Sequence, residues 1–153
     1  MKILRDTREQ RGLEFSHSCI TRVIDRKLDV GDYGCEFEDG YVVPAVFERK
    51  SIADLFGTLG KGYPRFKRCI KRAKDSGKTL FIITEGTLTK VLKGYERSSI
   101  KGVSMVYKVF TLWARYGVQT IFCRDRDEMS EYITNYYIAC GKEYVRKLDE
   151  KIS

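Results

Sequence analysis

Two acidic residues bracket a predicted β-hairpin, and this arrangement constrains the fold more than any other feature of the chain. Asp32 precedes the hairpin, and Glu48 follows sixteen residues later, after an apolar stretch. Between them, Asp39-Gly40 is a typical turn signal for two antiparallel strands. We therefore expect the two carboxylates on neighbouring strands of one β-sheet.

The register of this hairpin determines how close the two acids come. A three-residue loop, Asp39 to Tyr41, places Asp32 directly opposite Glu48, with the β-carbons about 5 Å apart. Pro44 interrupts the ladder of hydrogen bonds, so a bulge at this position would shift the register by one residue.

The residues around Glu48 are suited to phosphodiester hydrolysis, for which a divalent metal supplies both charge stabilisation and an activated water. Mg²⁺ usually takes one or two carboxylates from a protein, here Asp32 and Glu48, and the backbone carbonyl of Arg49 is a candidate third ligand. Lys50 points to the same face of a strand as Glu48. It would orient the attacking water or neutralise charge on the phosphate. The alternative interpretation is an exposed hairpin with scattered charges and a helix cap at Ser51.

The same residues resemble the signature of the XPF family of structure-specific DNA nucleases. That signature is a Gly-Asp pair, a variable hairpin, Glu-Arg-Lys, three residues and an Asp. Every fixed position matches, at Gly31-Asp32, Glu48-Arg49-Lys50 and Asp54. The segment Ile3 to Glu9 resembles the family's first strand, which ends in Asp and is followed by an Arg-acid pair. The resemblance covers about residues 2–146.

This resemblance implies a restriction-endonuclease-like fold and a Mg²⁺- or Mn²⁺-dependent endonuclease acting on branched, flapped or forked DNA in repair or recombination. It also implies a dimer, either of two copies or with a related subunit. The site residues that it implies are Asp32 and Glu48 as metal ligands, Lys50 as the catalytic lysine, Asp6 as a further acid near the metal, and Arg49, Asp54 and Glu9 in support. For Asp54, a simple role at the start of a helix is the alternative.

A strongly basic segment follows the motif. Residues 61–78 hold eight Lys and Arg against one acid, and a helix is predicted from Pro64 to Ser76. We expect part of this segment to hold the DNA backbone, although a solvated helix face is the alternative. The expected DNA-binding residues are Lys61, Arg65, Arg68 and Arg72, with Tyr63 stacking on an unpaired base or packing on the domain surface.

The remaining sequence predicts an α/β domain with a mixed sheet flanked by helices. Strands are expected at 2–5, 21–28, 79–85 and 117–123, and helices at 51–60, 64–76, 87–92, 98–116 and 125–147. The helix at 98–116 carries a leading apolar stripe, and three further apolar residues make it wider than one sheet requires. The stripe is Ile100, Val103, Val106, Phe110 and Trp113, and the residues that widen it are Met105, Val109 and Leu112. The width of the stripe indicates either a dimer interface or a deeply buried core helix.

Length and composition set further limits. A chain of 153 residues fits a single nuclease domain over 1–153, without the tandem helix-hairpin-helix module that usually follows it in the XPF family. DNA binding would then fall to this domain or to a partner. The net charge of +8 suits a polyanion. The chain has five widely spaced cysteines and one histidine, so neither a zinc site nor a disulfide framework is expected.

Charged residues begin at Lys2 and no apolar core of a signal peptide follows, so a signal peptide is not expected. No apolar run is long enough to span a membrane, so membrane association is not expected either. The expected location is the cytoplasm, on nucleoid or host-cell DNA, or the nucleus if the source is a eukaryote. Two other functions compete with the leading prediction. One is a non-catalytic DNA-binding or dimerisation subunit of a nuclease complex. The other is a nuclease with a different target, such as a restriction enzyme or an RNase.

Overall fold

A six-stranded mixed β-sheet forms the centre of the computed structural model, which describes residues 1–153. The strands are β1 (Lys2–Arg5), β2 (Arg22–Asp25), β3 (Tyr33–Glu36), β4 (Ala45–Ser51), β5 (Thr79–Glu85) and β6 (Gln119–Cys123). Their order across the sheet is β2-β1-β3-β4-β5-β6. β3 is antiparallel to β1 and β4, whereas β1 with β2, β4 with β5 and β5 with β6 pair in parallel. The predicted mixed sheet is confirmed.

Five helices connect and flank these strands. They are α1 (Ile52–Leu59), α2 (Tyr63–Asp75), α3 (Leu88–Leu92), α4 (Gly102–Tyr116) and α5 (Arg126–Ile152). Thr87 caps α3 by accepting a hydrogen bond from the Lys90 amide. The predicted helices are confirmed, although α4 begins later and α5 ends later than expected. None of the five combines the length and apolarity needed to span a lipid bilayer.

Alternate side chains of the central strands pack into two separate hydrophobic cores, one on each face of the sheet. On β4, Val46 belongs to the core beneath α1 to α4, whereas Ala45 and Phe47 belong to the core beneath α5. This alternation is what the period of two in a strand requires when both faces of a sheet are covered. One face of the sheet therefore carries four helices, and the other carries α5 alone.

The predicted hairpin loop is wrong by one residue, and the error is compensated before the site. Residues 38–40 form the loop, because the Phe37 amide donates to the Tyr41 carbonyl at 2.8 Å. Next to the turn, Glu36 pairs with Val42, yet Tyr33 pairs with Phe47. The second strand thus contains two extra residues in the stretch around Pro44, which lacks an amide proton. This bulge restores at the site the register that the sequence predicted.

Helix α4 buries a different stripe from the predicted one. Met105, Val109 and Leu112 lie in the core. Val103 and Trp113, which were expected in the leading stripe, are 70% and 48% exposed. The deeply buried alternative is therefore wrong for this face of α4, because the sheet covers only one side of the helix.

Candidate active site

A cleft of about 430 Å³ lies between the end of β4 and the helices α1 and α2. The segment before β3, with Gly31 and Asp32, forms its floor together with Glu48 and Lys50. The other lining residues are Arg8, Asp29, Val30, Gly57, Thr58, Gly62, Arg65, Phe66, Cys69 and Arg72. The structure thus brings the three central residues of the predicted motif into one cavity.

Gly31 explains how Asp32 reaches this position. Its φ of +80° is in the left-handed region, and a β-carbon would lie 2.9 Å from that of Val46. Only glycine allows the chain to turn this closely over β4. The Asp32 amide then donates to the Phe47 carbonyl at 2.8 Å, and Asp32 Oδ2 accepts from the Arg49 amide at 2.7 Å. The carboxylate is therefore held against the edge of β4.

The two acids of the cleft repel each other. Burial, and next the charge of Glu48, raise the pKa of Asp32 to about 7, despite the hydrogen bond from the Arg49 amide. Lys50 Nζ lies 3.0 Å from Glu48 Oε1, and both side chains are mostly buried. One ammonium group thus faces two carboxylates, which leaves the floor of the cleft short of positive charge.

The Arg49 side chain points away from the cleft. Its Nε and Nη2 atoms each donate to the Glu9 carboxylate at 2.8 Å, in a pair where the Glu9 side chain is only 5% exposed. These hydrogen bonds, which Arg49 donates to Glu9, are the main reason that the pKa of Arg49 is raised. This bidentate pair ties the loop after β1 to the back of β4. Only the backbone of Arg49 is available to the cleft.

Asp6 does not line the cleft. It is 1% exposed, and its oxygens accept hydrogen bonds from the Leu28 amide at 2.7 Å and from Arg8 Nε at 2.7 Å. Arg8 lies at the cleft in its place, with its guanidinium held in a fixed orientation by Asp6. In this structure Asp6 supports Arg8 and the segment before Asp32. Its expected place as a further acid near the metal stays a prediction.

The basic residues predicted to bind DNA, one in the turn before α2 and three on α2, separate into two groups. Arg65 and Arg72 line the cleft, whereas Lys61 and Arg68 do not. The Tyr63 ring lies outside it, with Lys67 Nζ at 5.2 Å and Lys108 Nζ at 5.5 Å from the ring centre. Tyr63 thus packs between α2 and α4, as the alternative interpretation expected.

Asp54 belongs to the start of α1 and does not line the cleft. Ser51 Oγ donates to Asp54 Oδ2 at 2.8 Å and accepts from the Asp54 amide at 3.1 Å. This reciprocal pair satisfies an amide that the helix leaves without a partner. The alternative role for Asp54, at a helix start, is the one that the geometry supports.

Several cleft residues were missed by sequence reasoning. Arg8 stands two positions after Asp6, in a segment that resembles the family more weakly than the central motif does. The Arg-acid pair of Arg8 and Glu9 was the available signal. Asp29 and Cys69 gave no signal, because their place depends on how the chain folds over β4. Gly62 permits the close approach of the turn to α1, because a β-carbon on it would lie 3.0 Å from the Gly57 carbonyl oxygen.

The donors in the cleft fit a hard divalent cation such as Mg²⁺. Asp32 and Glu48 converge, and the excess negative charge between them is what a cation would relieve. No group of three His, Cys, Asp or Glu side chains is placed to hold a metal ion. A cation at this position would therefore rely on these two carboxylates, on backbone oxygen and on water.

The fold and this cleft define a nuclease-type α/β domain, and the comparison with known families agrees. The ERCC4 domain family matches residues 5–136, so the chain belongs to the ERCC4 domain family, whose members are endonuclease domains that generally use divalent metal ions. The predicted membership of the XPF family is thereby confirmed. No curated protein matches the chain in sequence.

Two solved structures share the fold. XPF from Aeropyrum pernix in complex with DNA is 22% identical with a TM-score of 0.67, over 93% of this chain and 66% of that one. XPF from Aeropyrum pernix without DNA is 22% identical with a TM-score of 0.64, over 87% of this chain and 58% of that one. The predicted nuclease fold is confirmed. The chain spans less than two thirds of the length of either structure.

The raised pKa of Asp32 predicts a cost to stability that Asp32→Asn removes. Because the folded-state pKa is about 7 and the unfolded one about 3.9, the metal-free wild type loses stability as the pH rises from about 4 to about 7. At pH 8 in EDTA, Asp32→Asn should raise the free energy of unfolding by about 1–3 kcal/mol.

Urea unfolding at pH 8, 6 and 4 measures this difference. The advantage of the variant should shrink steadily toward pH 4, where Asp32 of the wild type is protonated in the folded state and about half protonated in the unfolded state. Arg68→Ala, on the exposed side of α2, serves as the control and should show no such pH dependence. An equal stability difference at all three pH values would contradict the account.

Proposed function

We propose that this domain is a Mg²⁺- or Mn²⁺-dependent endonuclease that hydrolyses phosphodiester bonds in branched, flapped or forked DNA. The observation that carries the proposal is the convergence of Asp32, Glu48 and Lys50 in one cleft rimmed by arginines. The carboxylates supply ligands for a cation, and the guanidinium groups of the arginines bind the negative charge of a phosphodiester. The intact set of groups favours an enzyme over a non-catalytic subunit.

Asp32 and Glu48 would hold the metal, with the backbone carbonyl of Arg49 as a further ligand. When bound, the metal supplies charge stabilisation on the phosphate and a water of lowered pKa. The hydrogen bond from the Arg49 amide to Asp32 Oδ2, at 2.7 Å, fixes which carboxylate oxygen faces the cleft. The Glu9–Arg49 pair behind β4 resists movement of this strand when charge builds up in front of it.

Lys50 is the residue of the chain best placed to act on the reacting phosphate. Its ammonium lies beside Glu48 at 3.0 Å and is largely shielded from solvent. In this position it orients the attacking water or neutralises charge that develops on the phosphate oxygens. Arg8, Arg65 and Arg72 hold the neighbouring part of the DNA backbone, and their fork-shaped guanidinium groups suit phosphate oxygens.

Helix α4 would supply a dimer interface, with a second copy or with a related subunit. Its outer face exposes Val103, Tyr107, Phe110 and Trp113 by 70%, 74%, 46% and 48%. An apolar stripe of this size on one helix marks an interaction surface more often than a solvated one. Helix α4 packs against the edge strand β6, and none of these four side chains lines the cleft, so a dimer through this face would leave the lining of both cleavage sites uncovered.

Cleavage of a labelled substrate panel tests the proposed activity. Duplex, 3′-flap, fork, four-way junction and single-stranded RNA substrates are compared with Mg²⁺, with Mn²⁺ and with EDTA. We expect metal-dependent cutting of a branched DNA, and a loss of at least about 100-fold in rate with Asp32→Ala or Lys50→Ala. Asp32→Ala should keep or raise the thermal stability of the wild type. Lys50→Ala should stay folded but be somewhat less stable, because it removes the ammonium that faces both carboxylates. Full cutting by Lys50→Ala would contradict the proposed role, and folded protein that binds DNA without cutting would favour the non-catalytic subunit.

The division of the α2 arginines predicts different effects within one helix. Arg65→Ala and Arg72→Ala should each weaken DNA binding about 3- to 10-fold and reduce the salt dependence of binding by about one unit of slope. Arg68→Ala is the matched control, since it removes the same charge from the same helix outside the cleft. Fluorescence anisotropy in EDTA measures all three variants, and equal effects would contradict the role of the cleft arginines.

The α4 interface predicts that Phe110→Glu yields monomers. Light scattering coupled to size exclusion, at several protein concentrations, measures the mass. Val145→Glu is the matched control, because Val145 is 55% exposed on α5 at a distance from α4. A dimeric wild type and control with a monomeric Phe110→Glu supports the interface. Dimeric Phe110→Glu protein would contradict it, and a monomeric wild type would contradict pairing with a second copy and leave only the related subunit.

A further inference from the structure

Charge is divided unequally between the two faces of the sheet. Residues 61–115, which include α2, α3 and α4, contain fourteen Lys and Arg against three Asp and Glu, a net charge of +11. Helix α5, on the opposite face, contains five Lys and Arg against six Asp and Glu. The excess of positive charge in the chain thus lies within residues 61–115, since the rest of the chain has a net charge of −3.

Most of these cations have no acidic partner within the protein. In residues 61–115, only Lys71 forms an ion pair, with Asp75 at 2.6 Å. Lys67 and Lys108 stack on Tyr63, and Arg115 stacks on Tyr116. An unneutralised charge of this size is costly to the free protein and attracts a polyanion.

Part of this charge surrounds a second cavity, of about 470 Å³, in the loop between α3 and α4. Its lining residues are Lys93, Gly94, Tyr95, Glu96, Ser98, Ser99, Ile100, Lys101 and Gly102. Arg97, also exposed, lies in the same loop. Lys93 and Lys101 face one acid, Glu96, and the two serines add hydroxyl donors.

The turn between α1 and α2 forms a wall shared by the two cavities. Gly57 and Gly62 line the cleft. On the other side of the same turn, Ile100 packs so closely that a β-carbon on Gly60 would lie 3.0 Å from its Cδ1 atom. The rings of Tyr95 and Phe56 pack at 6.1 Å. The two cavities are therefore separated by little more than α1, a helix about 12 Å long.

We propose that the loop between α3 and α4, through Lys93, Arg97 and Lys101, is a second contact for the phosphate backbone of the DNA held in the cleft. A strand that leaves the cleft across the turn reaches this loop after about two to four phosphates, at about 3.4 Å of rise per nucleotide in each strand. The loop supplies affinity and register and takes no part in bond cleavage. The inference rests on the proposed function only in requiring that DNA occupies the cleft.

The test compares two triple variants with equal loss of charge. The first carries Lys93→Ala, Arg97→Ala and Lys101→Ala. The control carries Lys142→Ala, Lys147→Ala and Lys151→Ala, which removes three exposed cations without ion pairs from α5. Thermal melts establish that both are folded, and anisotropy with fluorescein-labelled 3′-flap DNA is measured in EDTA over a salt series.

We expect the first variant to bind at least 10-fold more weakly and its salt slope to fall by about two to three units, since each phosphate contact contributes about 0.9. The control should change the slope by less than about one unit. Duplexes of about 8 and about 20 base pairs add a second readout, since the wild type should gain affinity with length and the loop variant should not. Equal effects of the two variants would mean that net charge alone acts and would overturn the proposal, as would an unchanged slope.

Cleavage at saturating DNA separates this proposal from the proposed activity. The loop variant should keep the wild-type rate once enough DNA is present. A wild type that binds DNA through the loop but never cuts would refute the endonuclease and leave the loop contact standing. A loop variant that cuts at a tenth of the wild-type rate or less when saturated would overturn the purely binding role of the loop.

Discussion

The repulsion between two buried carboxylates is the constraint on which the rest of the site depends. Like charge favours separation of Asp32 and Glu48. Burial and this repulsion together raise the pKa of Asp32 to about 7. The fold prevents this separation through the left-handed turn at Gly31 and the hydrogen bond from the Arg49 amide. The free protein thus holds a charge arrangement that is unfavourable until a cation or a proton enters.

Two ion pairs behind the cleft keep that arrangement rigid. Glu9 holds Arg49 on the far side of β4, and Asp6 holds Arg8 at the rim. Both acids come from the segment that follows β1, so this segment fixes the back of the site from a single stretch of chain. The Glu9–Arg49 pair is bidentate and mostly buried, whereas the Arg8 side chain is 67% exposed and is oriented by the buried Asp6 carboxylate. Both pairs limit movement at a site where positioning and electrostatics do most of the work.

Much of this architecture could be predicted from the sequence, because it depends on local patterns. The period of the hydrophobic residues, the Asp-Gly turn and the Ser51 cap predicted the strands, the hairpin and the first helix. The spacing of Asp32 and Glu48 predicted their proximity. The bulge around Pro44 was not predictable in detail, since two extra residues in one strand leave the same hydrophobic pattern on both sides.

Features that depend on long-range packing were harder to predict. Arg65 and Arg68 are three positions apart on α2, yet only Arg65 reaches the cleft, because β4 and α1 select one edge of the helix. Asp6 has the residue type of a metal ligand, but its oxygens are occupied by Arg8 and Leu28. The stripe of α4 that the sequence marked as its leading apolar face is in large part the exposed one.

The central claim is that Asp32 and Glu48 form one cation site. Calorimetric titration of Mn²⁺ into the metal-free protein at pH 6 and pH 8 tests it most directly. The account predicts a single site that Asp32→Asn or Glu48→Gln abolishes and Arg65→Ala keeps. Because the pKa of Asp32 is about 7, binding should release close to one proton at pH 6 and far less at pH 8. Equal Mn²⁺ binding by Asp32→Asn, or proton release that does not change with pH, would contradict the account.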